Sequence, residues 1–160
     1  MPIIAIRGAR TKKAPTQCQR PSGWMGKIVL RSMNRRHSKL TDWGLGHLAI
    51  RPGDTVLDVG CGGGRTIAKL ANIASRGSVH GVDYAPASIA AARKLNRALI
   101  EGGRVRLHQA SASELPLADN TFDVVTAIET HFWWQDLGGG MREALRVLEP
   151  GGRMAVIAEF

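Results

Sequence analysis

The run Val56-Leu57-Asp58-Val59-Gly60-Cys61-Gly62-Gly63-Gly64-Arg65 constrains this chain more than any other stretch. It reads as a short buried strand passing directly into a glycine loop. A helical segment follows at once, with Ile67, Leu70, Ala71 and Ala74 at i, i+3, i+4 and i+7. Glycine has no Cβ, so such a loop turns sharply and brings its N–H groups close to a bound molecule. The helix behind it adds partial positive charge at its N-terminus. Strand, loop and helix together predict an α/β chain with a ligand at the strand's carboxyl end.

The residues around the glycines narrow the ligand. The dinucleotide fingerprint is G-x-G-x-x-G, with pyrophosphate on the helix N-terminus. Here Gly60-x-Gly62-x-x is followed by Arg65, so the third glycine is absent. Asp58 lies two residues before the first glycine, where it repels a pyrophosphate and attracts an ammonium group. A ligand with an amino-acid end and a nucleoside end fits better than NAD, and S-adenosylmethionine is such a ligand.

Length and charge set bounds. The 160 residues make one domain, with 44% hydrophobic and 22% charged residues, as in soluble globular proteins. No apolar run reaches membrane-spanning length, so no membrane association is expected. Cys18 and Cys61 are far apart, and Cys61 lies in the glycine loop. This argues against a disulfide framework and for a cytoplasmic setting. No C-x-x-C or His/Cys cluster points to a metal. The net charge of +9 belongs to one end: residues 1–41 hold ten Lys/Arg and no acid, whereas the remainder holds twelve Lys/Arg and thirteen acids. The charge is therefore no argument that the domain binds nucleic acid.

Taken in order, residues 1–22 are basic and proline-broken, with one short apolar run, Ile3-Ile4-Ala5-Ile6. They are expected to form a disordered tail. A nucleic-acid arm or an organellar targeting segment is the alternative. Residues 23–50 are expected to be a helical lead-in. Ile28, Val29, Met33 and Leu40 suggest one face, and Thr41 a cap for a second helix carrying Trp43, Leu45, Leu48 and Ile50. Residues 51–160 form the main unit. After the glycine-loop helix, Ser78 to Asp83 reads as a second strand. Asp83 falls 19 residues after Gly64, at that strand's carboxyl end, where an acid accepts bonds from two ribose hydroxyls. Tyr84 follows and is placed to lie on an adenine face. Pro86 starts a helix whose buried face is predicted as Ala91, Leu95, Ala98 and Leu99. Strands at 104–108 and 122–128, a helix at 135–148 and a last strand from Arg153 complete the pattern. Strands alternating with helices imply a doubly wound, Rossmann-like, mostly parallel sheet of about five strands. Its ligand belongs at the carboxyl ends, where strand order reverses. Gly60–Gly64, Asp83, Ser111–Ala112 and Ile128–His131 all fall at those ends.

With these residues placed, residues 50–160 resemble class I S-adenosylmethionine-dependent methyltransferases. The glycine run resembles the family's first motif, and Gly81-Val82-Asp83-Tyr84 its acidic second-strand end. The run from Leu115 to Val125 is similar to the family's LPF-x-D-N-S-F-D-x-V signature. Arg146-Val147-Leu148-Glu149-Pro150-Gly151-Gly152 resembles its RVLKPGG turn. The resemblance implies that Asp58 and the backbone of Gly60, Cys61, Gly62 and Gly64 hold the methionine moiety. It places Asp83 on the ribose, and Tyr84 and Ala112 on the adenine. Where the family commonly has an acid bonding the adenine amino group, this chain has Ser111, a weaker acceptor. The family sheet has seven strands, and Phe160 falls inside the fifth, so the usual last strands are expected to be missing.

Methyl transfer is an in-line displacement for which the protein supplies alignment and electrostatics. A base is required only when the nucleophile must lose a proton. Glu129 and His131, past the fourth strand, are expected to face the methyl group. Phe132, Trp133 and Trp134 are expected to wall the acceptor pocket. The expected activity is methyl transfer to a small-molecule acceptor. The alternatives are a non-catalytic S-adenosylmethionine-binding remnant and a nucleic-acid methyltransferase using the basic tail.

Overall fold

The computed structural model describes residues 3–5 and 38–158 of the chain. Six strands form one parallel sheet: β1 (Ile3–Ala5), β2 (Thr55–Val59), β3 (Ser78–Asp83), β4 (Val105–Gln109), β5 (Phe122–Ile128) and β6 (Leu148–Ile157). Their spatial order is β1-β6-β5-β2-β3-β4. Among the described residues the helices are α1 (Ser38–His47), α2 (Arg65–Ile73), α3 (Pro86–Leu95), α4 (Arg97–Glu101) and α5 (Leu137–Val147), with a 3-10 turn at His131–Trp133. The chain steps outward from β2 through β3 to β4, then returns to lay β5 and β6 on the other side of β2. Strand order therefore reverses between β2 and β5.

Alternation along each strand feeds two cores. Val56, Val79, Val105 and Val124 meet Leu45 of α1 and Leu48 just past its end, Ile67, Leu70 and Ala71 of α2, and Ile89 of α3. Leu57, Val59, Val82, Val125 and Ala127 meet Ala144 and Val147 of α5 and Leu115 of the preceding loop. The predicted face of α2 is the buried one, including Ala74 just past its end. The face predicted for α3 is corrected: Ser88, Ile89 and Ala92 are buried, while Leu95 is 54% exposed. The chain breaks at Asn96 between α3 and α4, so Ala98 falls on an exposed side, whereas Leu99, as expected, packs partly buried against the same core as Ile89. Thr41 is not a cap either. It is buried inside α1, which begins at Ser38. Gly44 in that helix crosses Ile157 so closely that a Cβ would overlap its side chain.

The reading of residues 1–22 as a disordered tail does not hold at Ile3–Ala5. These pair in parallel with Met154, Ala155 and Val156. The outer edge of β6 presents unpaired N–H and C=O groups, and a short β-branched run can satisfy them. The expectation of five strands is thus met and extended by one. The first lead-in helix and Cys18 lie outside the described residues.

Candidate cofactor site

The glycine loop at the end of β2 is held from three directions. The N–H groups of Gly60 and Cys61 donate to the carbonyl of Val82 at 2.7 and 2.9 Å. The Gly62 N–H donates to Asp83 Oδ2 at 2.9 Å. The amide of Asn96 donates to the Gly64 carbonyl at 2.9 Å. Three of the loop glycines carry positive φ: Gly60 at 81°, Gly62 at 51° and Gly64 at 80°. Gly60 has a second reason to be glycine, since a Cβ there would overlap the Thr130 side chain. The loop after β2 and the loop after β5 therefore touch at the point where strand order reverses.

Asp58 and Asp83 supply the charge. Asp58 is 2% exposed, and its Oδ1 accepts a 2.8 Å bond from the Thr126 hydroxyl. Burial, opposed by that bond and reinforced by the charge of Asp83, raises its pKa to about 7. It is buried in β2, two residues before the loop. Asp83 spends much of its carboxylate on the fold. It accepts from the N–H groups of Gly62 and Ala85, both at 2.9 Å, and from Ser88. A carboxylate offers about four acceptor positions, so about one remains for a ribose hydroxyl rather than the two expected. Burial raises its pKa, and the three hydrogen bonds oppose that rise. Burial also pushes the Cys61 thiol well above its ordinary value, with Asp58 and Asp83 adding to the effect. A thiol held protonated in this way is a poor nucleophile.

The rest of the predicted site gathers at the same edge. Tyr84, 37% exposed, follows Asp83. The Ala110 N–H donates to the Asp83 carbonyl at 3.2 Å, which brings Ser111 and Ala112 beside the end of β3. The exposed Ser111 hydroxyl lies 2.9 Å from that of Ser113 and accepts from the Ser113 N–H. That local turn competes with any adenine amino group for its oxygen. Ala112 packs half-buried on the second core. Glu129 adopts φ 55°, an uncommon conformation for a residue with a Cβ, and its N–H donates to the Ile157 carbonyl at 2.8 Å. His131 is half-buried against Phe132, ring centroids 4.3 Å apart, and burial lowers its pKa. The aromatic wall divides. Phe132 is exposed and Trp133 half-buried, whereas Trp134 packs on Gly140 in the second core.

Sequence reasoning missed Thr126, Thr130 and Asn96. Thr126 is a polar residue inside an apolar strand, which is a signal that a partner exists but not which one; Thr130 and Asn96 have polar or charged neighbours in sequence and carry no such signal. It also missed the clamp on the loop before β5. Arg146 donates to the carbonyls of Leu115 and Leu117 at 3.1 and 2.9 Å and pairs with Glu143 at 2.7 Å and with Asp119. Glu143 in turn accepts from the Leu115 N–H at 2.8 Å. Among the described residues, no group of three or more His, Cys, Asp or Glu side chains is placed to hold a metal, and no helix is long and apolar enough to cross a membrane.

Residues 57–156 match the family described as methyltransferase domain. An O-methyltransferase of Pyrenophora dematioidea is 38% identical over 112 residues, 70% of this chain and 42% of that protein. The 27-O-demethylrifamycin SV methyltransferase of Amycolatopsis mediterranei is 37% identical over 119 residues, 74% of this chain and 43% of that protein. A geranyl diphosphate methyltransferase, solved with GPP and sinefungin, matches with a TM-score of 0.67 and 27% identity over 76% of this chain and 44% of that one. The chain thus spans less than half the length of the curated relatives it matches here. The matched residues run from β2 into β6 and include every strand end that borders the glycine loop; the chain belongs to the class I S-adenosylmethionine-dependent methyltransferase family.

Proposed function

We propose that this domain binds S-adenosylmethionine across the carboxyl ends of β2, β3, β4 and β5 and directs its methyl group to a small-molecule acceptor. The observation that carries the reading is the Asp83 carboxylate bridging the end of β3 to the glycine loop. It fixes a ribose-binding acid and a methionine-binding backbone in one rigid unit. The fit is supported at the loop's tip, where a side chain on Gly62 would meet nothing within 4 Å, leaving room for a ligand. The relatives named for O-methyl transfer support the small-molecule acceptor. A cytoplasmic setting agrees with a thiol kept free and buried at Cys61.

Bound there, S-adenosylmethionine supplies an electrophilic methyl group on a sulfonium. Asp58 and Asp83 provide negative charge below and beside the loop, which favours a cationic ligand over a pyrophosphate. The Gly60, Cys61, Gly62 and Gly64 N–H groups hold the loop together, so it is the N–H groups that begin α2 that orient the ligand's carboxylate end. Asp83 takes a ribose hydroxyl with its remaining acceptor position, and Tyr84, Ser111 and Ala112 border the adenine. Glu129 and His131 stand at the end of β5, on the acceptor side. Burial keeps the His131 imidazole neutral at neutral pH, so it can accept a proton from an incoming nucleophile.

Calorimetric titration of the chain with S-adenosylmethionine and S-adenosylhomocysteine tests the reading. Micromolar binding of both is the expected result. No heat and no thermal shift from a folded, monodisperse protein would overturn it.

A further inference from the structure

We propose that Asn96 is a positioning residue for the methionine half of the cofactor site. This rests on the cofactor reading above and deepens it. Asn96 stands where α3 ends and α4 begins, 32 residues from the loop it serves, and is 2% exposed. Its amide nitrogen donates to two carbonyls, Gly64 and Ala92, each at 2.9 Å. Those two acceptors fix the orientation of the amide, because a flip would set oxygen against oxygen.

Gly64 is the hinge between loop and helix. Its N–H donates to Cys61 at 3.0 Å and closes the turn over Gly62 and Gly63. Its carbonyl accepts the first helical bond of α2, from Ala68 at 3.3 Å, together with the bond from Asn96. The approach is close enough to exclude a side chain. A Cβ on Gly64 would lie 2.6 Å from the Asn96 amide nitrogen and 2.8 Å from Ala92. The bond from Asn96 therefore sets the plane of the peptide between Gly64 and Arg65, and with it the direction of the N–H groups that begin α2. Those groups face the carboxylate end of a bound ligand.

The other half of the amide argues that packing is not the reason for this residue. Asn96 Oδ1 is buried with no hydrogen-bond partner among the described residues. A hydrocarbon of similar size would fill the space without desolvating an acceptor. What it could not supply is the pair of donors.

The test compares two ligands that share a nucleoside and differ at the amino-acid end. S-adenosylhomocysteine carries that end and methylthioadenosine lacks it. In the full chain, Asn96→Asp replaces two donors with an acceptor-only group facing two carbonyls. It should weaken S-adenosylhomocysteine about tenfold or more while methylthioadenosine changes less than about threefold. Asn96→Ala should shift the same ratio in the same direction. If the aspartate variant does not fold, Asn96→Ser carries the same comparison. Equal losses for both ligands, or no loss for either, would overturn the assignment and leave Asn96 as a structural residue of the α3–α4 junction. No binding of S-adenosylhomocysteine by the wild type would overturn the cofactor reading first.

Discussion

Asp58 destabilises the domain in order to hold charge under the loop. Folding raises its pKa from 3.8 to about 7, so the native state binds an extra proton between those values. Stability from this group therefore falls as pH rises from about 4 to 7 and is flat above. Asp58→Asn should be more stable than wild type by an amount on the order of 4 kcal/mol near pH 8, a gain that vanishes near pH 3. His80, whose pKa is lowered to about 4 by burial and by His108 and Arg106, titrates in the same window with the opposite sign. The measurement is accordingly the difference between variant and wild-type denaturation curves across pH. Cofactor affinity of the wild type should fall below about pH 7 as Asp58 protonates, and that of Asp58→Asn should be weak and lack this inflection near pH 7. Asp83→Ala removes the proposed ribose acceptor and releases the Gly62 and Ala85 N–H groups. Calorimetry should show a loss of roughly 1.5–3 kcal/mol in cofactor binding, the scale of hydrogen bonds to a charged group. Both carboxylates were legible from their distance to the glycines. That Asp83 has already spent most of its acceptor capacity was not, because its partners Ala85 and Ser88 are set by the turn into α3.

Between elements, the loop from Leu115 to Thr121 has no regular structure of its own and depends on α5. Arg146 spans the gap with a planar fork that reaches two carbonyls and two carboxylates. The hydrogen bonds that Arg146 donates, with the Leu115 N–H and the Arg146 charge, hold the Glu143 carboxyl down at about 2. Arg146→Ala should leave the Leu115 and Leu117 carbonyls unsatisfied and cost about 2–3 kcal/mol in chemical denaturation. Arg146→Lys should recover less than half of that, since an ammonium cannot form the fork. Hydrogen exchange at Leu115 should accelerate in both variants. The sequence marks Arg146 and the LPLADNTFD run as separate motifs, and only the fold shows that one anchors the other. Element boundaries followed a similar rule. Helix α2 was predicted with its buried face because its periodicity is uninterrupted. Helix α3 was misread because Asn96, a polar residue that leaves the helix to bond Gly64, breaks the period.

Across the whole molecule, the sheet is completed at one edge by three residues from the far end of the chain. Ile4 pairs opposite Ala155. Ile4→Pro fixes φ in the middle of this three-residue strand and should weaken its pairing by about 1–3 kcal/mol. It should also uncover the edge of β6, read as concentration-dependent self-association in sedimentation. Unchanged stability and a monomer at all concentrations would show that β1 contributes nothing to the edge. The parallel α/β order, the glycine loop and the acid at the end of β3 were all present in the sequence, because periodicity and glycine placement are local properties of the chain. Tertiary structure alone decided what those residues touch. Thr126 on Asp58, Thr130 on Gly60, Asn96 on Gly64 and Ile3–Ala5 on β6 join residues from 32 to about 150 positions apart. No local pattern encodes such contacts, since they depend on strand order, and strand order is fixed only when the two cores on either face of the sheet are packed together.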